Sequence, residues 1–436
     1  MSAPPTSPPP SSAETVPEGS YAVLALRDFR LFILGRFAAN LGQQMLGVAV
    51  GWELYERTGS SLALGLVGLA QITPMLLLTL PAGHWVDVHD RRWIIILTQL
   101  GLAVVGLGLA AVSWTHAPVV CTYTLLAVMG TGRAFLWPAT GAILPLLVPR
   151  ALLSKAVAWN SGMFQFSASC GPALGGLLIW WTGGHAAVVY LIHAVAAFTC
   201  AVLLLPVRVP PAETDAEPAT ATTTATRKMT FRSLLAGIAF VRRKPVMLGA
   251  ITLDLFAVLL GGATALLPVY AKDILHAGPQ GLGWLQAALP AGSVAMAVFL
   301  AHRPPLARAG WAMLGAVGIF GLATIGFGLS HLFLVSWLML FCCGAMDNIS
   351  VVVRHTLIPL LTPDEMRGRV AAVNSLFISA SNEIGSFESG LVASLFGPVI
   401  SVVSGGIGTL LVVLWIATAW PELRRFGRLD GAALAE

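Results

Sequence analysis

The chain has 436 residues and a formal net charge of +5; 56% of its residues are hydrophobic and only 10% are charged. A soluble domain normally carries about 25% charged residues, so this composition excludes an ordinary soluble enzyme or binding domain. The basic residues are spread between apolar runs rather than gathered in one patch, which argues against a nucleic-acid partner.

The N-terminal segment, residues 1–27, begins with MSAPPTSPPPSSAETVPEGS, a stretch that contains no Lys, no Arg and no apolar core. A signal peptide needs both a positively charged start and an apolar stretch, so this segment is not one. Its Pro- and Ser-rich composition predicts a disordered cytoplasmic tail.

Twelve apolar runs follow, most of them about 20 residues or longer, which is enough for a helix to cross a hydrocarbon core of about 30 Å. The sequence therefore predicts an all-α polytopic membrane protein with twelve transmembrane helices. Several runs exceed ~25 residues and should tilt or protrude from the bilayer. The predicted spans are 30–55, 61–82, 93–114, 118–148, 154–181, 186–206, 246–270, 282–301, 310–329, 332–360, 368–396 and 398–420.

The distribution of basic residues predicts the orientation. With the N-terminus in the cytoplasm, only Arg57 and Lys272 of the 25 basic residues fall in outer loops. Arg36, Arg133 and Arg354 lie inside spans, and the others are cytoplasmic. The positive-inside rule therefore places both termini in the cytoplasm.

A linker divides the twelve spans into two groups of six. It has a Thr/Ala/Pro-rich part and a basic, partly apolar end, which is typical of a cytoplasmic connection whose end lies along the membrane surface. The predicted units are the N-terminal half 28–206, the linker 207–244, the C-terminal half 245–421 and a cytoplasmic tail 422–436.

An internal repeat supports two six-helix halves. LPLLVP at 144–149 recurs as IPLLTP at 358–363, an offset of 214 residues. The same offset relates Gly171 to Gly385. Parallel repeats of this kind place a binding site between the halves, near the membrane midplane.

The stretch PAGHWVDVHDRR interrupts the apolar runs between spans two and three. Four of its residues follow the pattern G-x-x-x-D-x-x-x-R-R, in which the glycine permits close helix approach and the acid can meet a helix N-terminus or a basic partner. These residues are Gly83, Asp87, Arg91 and Arg92. The alternative is a short polar loop whose arginines only follow the positive-inside rule.

This stretch resembles the loop signature of the major facilitator superfamily, G-x-L-A-D-R-x-G-R-R/K, from which it departs at Trp85, Val88 and Asp90. GPALGG at 171–176 resembles the antiporter motif of that superfamily. WPATGAILPLLVP and LLTPDEMRGRVAAVNSLF are similar to one branch, that of the enterobactin exporter and the macrolide efflux proteins. The resemblance covers roughly residues 25–420 and implies the major facilitator fold.

The resemblance also implies roles for the motif residues. Asp87 would belong to a cytoplasmic latch that favours the outward-open state by contacting the start of span eleven, where Arg367 and Arg369 supply basic partners. The alternative for these two arginines is contact with lipid phosphates. The antiporter motif would shape a close-packed helix through Gly171, Pro172, Gly175 and Gly176.

The start of span eleven also has the pattern of a capping box, TPDE, with Thr362 as the cap and Glu365 three residues later. Such a helix start would present its N-terminus to the latch acid. In the second half, Arg303 stands at the position of Asp87, so only the first half carries the acid.

Ionisable residues inside spans cost about 3 kcal/mol or more at the bilayer centre, so each is a functional candidate. The repeat offset makes Arg133 and Asp347 counterparts. Spans one, four, seven and ten line the central cavity in the resembled family. The residues expected there are Asn40, Gln43, Arg133, Asp254, Asp347 and Asn348. The alternative is an ion pair of Arg133 with Asp347 or Asp254 that only fastens the halves.

Span eleven adds one more cavity candidate. Glu383 and Glu388 are five residues apart, or about 140° around a helix, so they do not share a face. Glu383 lies nearer mid-span and is the expected cavity residue. Arg36 and Arg354 lie towards the cytoplasmic ends, where their heads can snorkel to the interface.

The sequence contains neither a G-x-x-x-x-G-K-[ST] loop nor an H-E-x-x-H motif or a Cys/His cluster. ATP is therefore not the expected energy source, and no catalytic, metal-binding or cofactor-binding residue is predicted. An intramembrane enzyme would need a nucleophile–base or metal constellation, and a receptor would need a sensory domain outside the membrane.

The favoured prediction is a secondary active transporter of the bacterial inner membrane. It would export a small organic molecule, a siderophore or a lipophilic drug, by alternating access, with the proton gradient as energy source and buried carboxylates as proton carriers. Facilitated uptake and lysophospholipid flipping stay open as alternatives. The expected partners are a small-molecule cargo and membrane lipid, with no nucleic acid, and the chain is expected to be a monomer.

Overall fold

The computed structural model describes residues 21–209, 231–304 and 307–427. The N-terminal part of the tail that was predicted to be disordered, residues 1–20, and the Thr/Ala/Pro part of the linker lie outside these residues. Within the described part, the structure is helical and contains no β-strand. This agrees with the all-α fold class that the apolar runs predict.

Twelve long helices occupy the positions of the predicted spans. Proline and glycine residues inside several of them are tolerated because neighbouring helices satisfy the backbone that they expose. The helices are α1 (Arg27–Thr58), α2 (Ser61–Val88), α3 (Arg91–Thr115), α4 (Val119–Ile143), α5 (Leu153–Trp181), α6 (Ala187–Leu204), α7 (Pro245–Leu260), α8 (Gly278–Ala301), α9 (Ala309–Leu329), α10 (Phe333–Leu361), α11 (Asp364–Phe396) and α12 (Pro398–Ala419).

Short elements flank α7 and α12. The linker helix, Phe231–Arg242, precedes α7, and the C-terminal helix, Pro421–Arg425, follows α12. After α7 the chain forms a 3-10 turn, Ala263–Leu266, and a π-helical turn, Tyr270–Ile274. The predicted seventh span is therefore broken after Leu260, where two glycines end the regular helix.

The helices pack into two groups that coincide with the two repeats. In the first group, α1 packs on α5 and α6, α3 packs on α4 and α6, and α2 packs on α4. In the second group, α8 packs on α10, α9 packs on α10 and α12, and α7 packs on α11 and α12. The two halves meet along α2 with α11 and along α5 with α8.

The bundle has two distinct ends. The linker end carries the start of α1, the linker helix and the C-terminal helix; the distal end carries the last turns of α1 and α5, at Thr58 and Trp181. At the linker end, the linker helix packs on α11, because Gly237 lets its backbone approach that of Arg369.

Close contacts at glycines repeat between the halves. A Cβ atom at Gly171 on α5 would lie 2.6 Å from the Cβ of Gln44 on α1. A Cβ atom at Gly385 on α11 would lie 2.7 Å from the carbonyl oxygen of Leu259 on α7. Both distances are too short for a side chain, so each site needs a glycine. Gly171 and Gly385 are related by the sequence repeat, and the structure therefore contains the pseudo-repeat that the sequence predicts.

Three long helices are more polar than the others. Nine of the described helices are long and apolar enough to cross a membrane by length and composition alone, and α1, α5 and α11 are not among them. Each of these three packs against two or more long helices: α1 on α5 and α6, α5 on α1 and α8, and α11 on α2 and α7. Their polar residues can therefore face protein or a cavity between the halves rather than lipid.

Two local expectations from the sequence are wrong. The stretch predicted as a loop after span two is helical, since α2 continues to Val88 and only His89 and Asp90 separate it from α3. Thr362 does not cap α11, because its hydroxyl donates instead to the carbonyl of Ile358, 2.6 Å away, in the last turn of α10. Asp90, by contrast, does cap a helix: it stands directly before α3 and accepts a hydrogen bond of 2.9 Å from the amide of Arg92.

Candidate functional site

A cavity of about 580 Å³ lies between the two halves. Its wall comes from α1, α2, α4 and α5 of the first half, and from α8, α11 and the turn after α7 of the second. The volume suits a small organic molecule. The polar and charged residues that line it are Gln43, Gln44, Gln71, Arg133, Thr264, Gln286, Asn382, Glu383 and Ser386.

The first half contributes a fixed cation to this cavity. Gly130 lets α4 pack directly on the backbone of Gln71 in α2. Arg133 follows one turn later, and its Nη1 donates a hydrogen bond of 2.9 Å to the Gln71 side-chain oxygen. Gln43 on α1 is held by a contact of 3.6 Å to the sulfur of Met129. Three helices thus hold the polar groups of this wall in place.

The second half contributes an anion to the same cavity. The side chain of Glu383 on α11 lies against α2 of the first half, where a Cβ atom at Gly68 would be 2.8 Å from its Oε2. Its charge acts on Arg133 across the cavity. One cation and one anion, carried by different halves, therefore face a single space.

The structure places only part of the predicted cavity set in the cavity. Gln43, Arg133 and Glu383 line it, whereas Asn40 and Asn348 do not. Asp254 and Asp347 do not line it either, so their predicted position is wrong for this structure, whereas their predicted role as proton carriers stays a prediction.

Asp254 and Asp347 lie inside the second half. They line a separate internal pocket formed by α7, α9 and α10. Asp254 forms an ion pair with Arg354, so Arg354 is buried rather than snorkelling. The alternative reading, a pair of Arg133 with either aspartate, is not formed among the described residues. The physical reason is rotation: Asp347 on α10 faces α7 and α9, whereas its counterpart Arg133 on α4 faces α2 and the cavity.

The GPALGG motif lies where three helices meet. Gly175 packs on the backbone of Met45 in α1, and Gly176 packs on α8. Pro172 lines the cavity, and its carbonyl approaches Gly283 of α8. The four motif residues thus hold α5 against α1 on one side and against the opposite half on the other.

The halves touch closely at the distal end. A Cβ atom at Gly176 would lie 2.9 Å from the Cα of Gly283, and one at Gly390 would lie 2.8 Å from the Cα of Gly65. These two contacts join α5 to α8 and α11 to α2. Because glycines allow the backbones to meet without side chains between them, the cavity is closed towards this end.

A polar contact also joins the halves at the distal end. The hydroxyl of Tyr55 on α1 donates a hydrogen bond to the carboxylate of Asp273, in the π-helical turn of the second half. The Nζ of Lys272 lies 5.8 Å from the centroid of the Tyr55 ring. The sequence offered no motif for this contact, although a π-helical turn often marks a functional position.

Removing the Tyr55 hydroxyl is expected to loosen the distal end. Tyr55→Phe deletes a hydrogen bond to a charged group, worth about 1.5–3 kcal/mol, and should raise the population of molecules open at this end. The measurement is the distance between spin labels at His185→Cys and His276→Cys in protein lacking the five native cysteines. Tyr123→Phe is the matched control, since its hydroxyl bonds Ala63 within one half; an equal shift in both variants would contradict the assignment.

The predicted latch residues lie at the linker end. Asp87 is exposed and forms no ion pair among the residues that the structure describes. Arg92 donates to the carbonyls of Leu204 and Leu205 at the end of α6, and a Cβ atom at Gly83 would have open space around it. Arg91 approaches the carbonyl of Asp87, and Arg369 contacts Met366 on its own helix.

Several cavity residues were not predicted. Gln71 and Gln286 interrupt apolar runs, which is a signal that could have identified them. Gln44 follows the predicted Gln43 directly, and Ser386 lies one turn beyond Glu383. A neutral amide or hydroxyl inside a span costs less than a charge, so it stands out less strongly in the sequence as a functional candidate.

A family model described as Major Facilitator Superfamily matches residues 32–386. The chain is 28% identical over 402 residues to the enterobactin exporter EntS of Escherichia coli O81 (strain ED1a), with 91% of this chain and 93% of that protein covered. The enterobactin exporter EntS of Escherichia fergusonii matches with the same identity and coverage.

Solved structures show the same fold. A bacterial homologue of the human lysosomal transporter Spinster, in an inward-facing and unoccupied conformation, matches with a TM-score of 0.66 at 14% identity, with 91% of this chain and 96% of that chain covered. A POT family transporter in complex with 5-aminolevulinic acid matches with a TM-score of 0.68 at 12% identity and the same coverage.

Proposed function

Because the chain belongs to the Major Facilitator Superfamily and is a multi-pass membrane transporter rather than an enzyme, we propose that it is an antiporter that exports a small organic molecule in exchange for protons. The observation that carries this proposal is the cavity between the halves, with Arg133 on one wall and Glu383 on the other. A site shared by two halves can be exposed to either side of a membrane as they move.

The lining favours a polar cargo. Amide side chains and the opposite charges of Arg133 and Glu383 can donate and accept hydrogen bonds, which a purely lipophilic molecule would leave unpaired. The similar relatives are exporters of the siderophore enterobactin. A siderophore is therefore the first cargo class to test, and a lipophilic drug is the second.

The setting follows from the same observations. The bias of basic residues supports a location in the bacterial inner membrane with both termini in the cytoplasm. The chain would act as a monomer, because both halves of the cavity come from one chain. Membrane lipid would surround it, and we propose neither a nucleic-acid partner nor a cofactor. The linker end then faces the cytoplasm, and the closed distal end faces outward.

Alternating access gives the latch residues a role in the other half of the cycle. In the present conformation the two halves touch at the distal end, and Asp87 is exposed without an ion pair among the described residues. When the distal end opens, α2 and α11 approach at the linker end, and Asp87 can then meet Arg367, Arg369 or the helix N-terminus.

A bulky residue at Gly83 is expected to reduce transport without changing the stability of the fold. Gly83→Leu should leave thermal unfolding unchanged, because a side chain there has open space around it in this conformation. Transport should fall about tenfold, since overpacking the closed linker end costs about 1–3 kcal/mol. Gly101→Leu on α3, which also has open space, is the control; wild-type transport by Gly83→Leu would remove this glycine from the latch.

The transport proposal is tested in inside-out membrane vesicles with an imposed pH gradient. Enterobactin is expected to accumulate when the lumen is acidic, and a protonophore should abolish the accumulation. Rhodamine 6G serves as the lipophilic probe. Accumulation that ignores the gradient would refute proton coupling, and accumulation of rhodamine 6G alone would refute the siderophore class.

A further inference from the structure

Three ionisable side chains that the cavity leaves unused lie together inside the second half. Asp254 on α7 forms an ion pair with Arg354 on α10, and their side chains are only 7% and 4% exposed. Asp347 on α10 shares an internal pocket with Asp254. The space in that pocket is about 10 Å³, which is roughly the room that one water molecule needs.

Asp347 lacks a partner of its own. It lies two turns before Arg354 on the same face of α10 and within electrostatic range of it, but Arg354 hydrogen-bonds Asp254. Among the described residues, no hydrogen bond or ion pair within 4.0 Å reaches Asp347. Two carboxyl groups therefore compete for one guanidinium.

A second unpartnered group faces the same pocket. Ser350, one turn after Asp347, is 1% exposed, and within the described ranges its hydroxyl has no hydrogen-bond partner. The Nε of Arg354 is likewise buried without one. Buried polar groups are normally paired, so the cluster has free donors and acceptors that a proton or a water molecule could satisfy.

No charged side chain other than Asp254 and Asp347 lines this pocket in the described part of the chain. The helices α8, α9 and α12 contain no ionisable side chain. The charged residues Glu365, Arg367 and Arg369 lie in the first turns of α11, at the linker end. On α11, Glu383 faces the cavity, and Glu388 accepts a hydrogen bond from Ser389. On α10 itself, the thiol of Cys343 contacts Thr324 and His355 is exposed. The C-terminal helix meets α7 through apolar Leu423, and the linker helix does so through an apolar cluster.

We propose that Asp347 carries a proton in this conformation, and that the cluster of Asp254, Asp347 and Arg354 binds and releases the coupling proton at a site separate from the cargo cavity. A carboxylate that faces an internal pocket without a partner is costly, whereas a neutral carboxyl group costs less, and its O–H can donate to a water or to Ser350. This inference rests on the proton coupling proposed above.

Release of that proton would change the pairing inside the second half. The Asp347 carboxylate would then attract Arg354 away from Asp254, which alters the contact between α7 and α10. The turn that follows α7 lines the cargo cavity through Thr264 and packs through Gly262 on the backbone of Gly385 in α11. The proton site and the cargo site thus share one structural element, although their side chains do not touch.

The protonated carboxyl group is tested by infrared spectroscopy on the full chain in liposomes. The wild type is expected to show a carboxyl C=O stretch at neutral pH, and Asp347→Asn should remove it. Glu383→Gln is the matched control and should keep it. A band that persists in Asp347→Asn, or one that Glu383→Gln removes, would overturn the assignment.

Folding does not confound this test. Asparagine has nearly the shape of the protonated aspartate, so Asp347→Asn should retain its thermal unfolding temperature. Ser350→Ala leaves every carboxyl group in place and is expected to shift the frequency of the band. An unshifted band in Ser350→Ala together with an unchanged spectrum in Asp347→Asn would refute the site.

A transport measurement separates this inference from the proposed function. In inside-out vesicles, Asp347→Asn is expected to move enterobactin down its own gradient while losing the response to pH. A wild type that ignores the pH gradient would refute the proposed function, whatever the spectra show. A wild type driven by a sodium gradient at uniform pH would refute the proton as the coupling ion. A variant that still follows the pH gradient would refute the cluster alone.

Discussion

Replacing Arg133 by glutamine is expected to weaken the binding of a polar cargo roughly ten- to a hundredfold. Arg133 is held by Gln71 at 2.9 Å and faces the cavity with Glu383 opposite. Loss of one hydrogen bond to a charged group costs about 1.5–3 kcal/mol, which corresponds to that range. The measurement is the affinity of the purified protein for enterobactin, followed by uptake into inside-out vesicles.

A double-mutant cycle tests whether Arg133 and Glu383 bind the cargo jointly or independently. Glu383→Gln alone leaves Arg133 without its opposite charge, whereas the double variant removes both. If the two groups act together, the double variant should bind no worse than the worse single variant. Arg150→Gln, an exposed arginine of the same half, is the control. Strict additivity would show that the two charges contact the cargo independently.

Gly176→Val is expected to hold the distal end open and to reduce transport about tenfold or more. A Cβ atom there would overlap the carbonyl of Pro279 and would approach the backbone of Gly283. Overpacking of a tight contact costs about 1–3 kcal/mol, and at this position the molecule can avoid that cost by separating α5 from α8. Spin labels at His185→Cys and His276→Cys should report a longer distance.

The same helix supplies the control for this variant. Gly162 on α5 has no atom within 4 Å of the position that a Cβ would take, so Gly162→Val should transport normally. The thermal unfolding temperature of both variants distinguishes a shifted conformation from a misfolded protein. A label distance unchanged in Gly176→Val would contradict the closing role of this glycine.

The fold was largely accessible from the sequence because membrane helices have strong local signals. Apolar runs predicted the positions of the twelve helices, and the offset of 214 related Gly171 to Gly385, which the structure places in similar close contacts. The extension of α2 to Val88 was missed, since a polar stretch next to an apolar run resembles a loop. A helix that protrudes from the bilayer can also carry polar residues on its exposed end.

The cavity was only partly accessible, because sequence position does not determine the direction of a side chain. Arg133 and Asp347 are equivalent in the repeat, yet the first faces the cavity and the second faces the interior of its own half. The capping role expected of Thr362 failed because its hydroxyl donates to the carbonyl of Ile358 in the preceding helix.

The polarity of α1, α5 and α11 has a consequence for biosynthesis. A translocon releases a segment into lipid according to its apolarity, and these three helices are long enough to span but lack the apolar composition of the other nine. α11 packs on α2, which is synthesised much earlier in the chain. We therefore expect the order of synthesis to set an order of assembly, in which α11 enters the bilayer against a first half that is already in place.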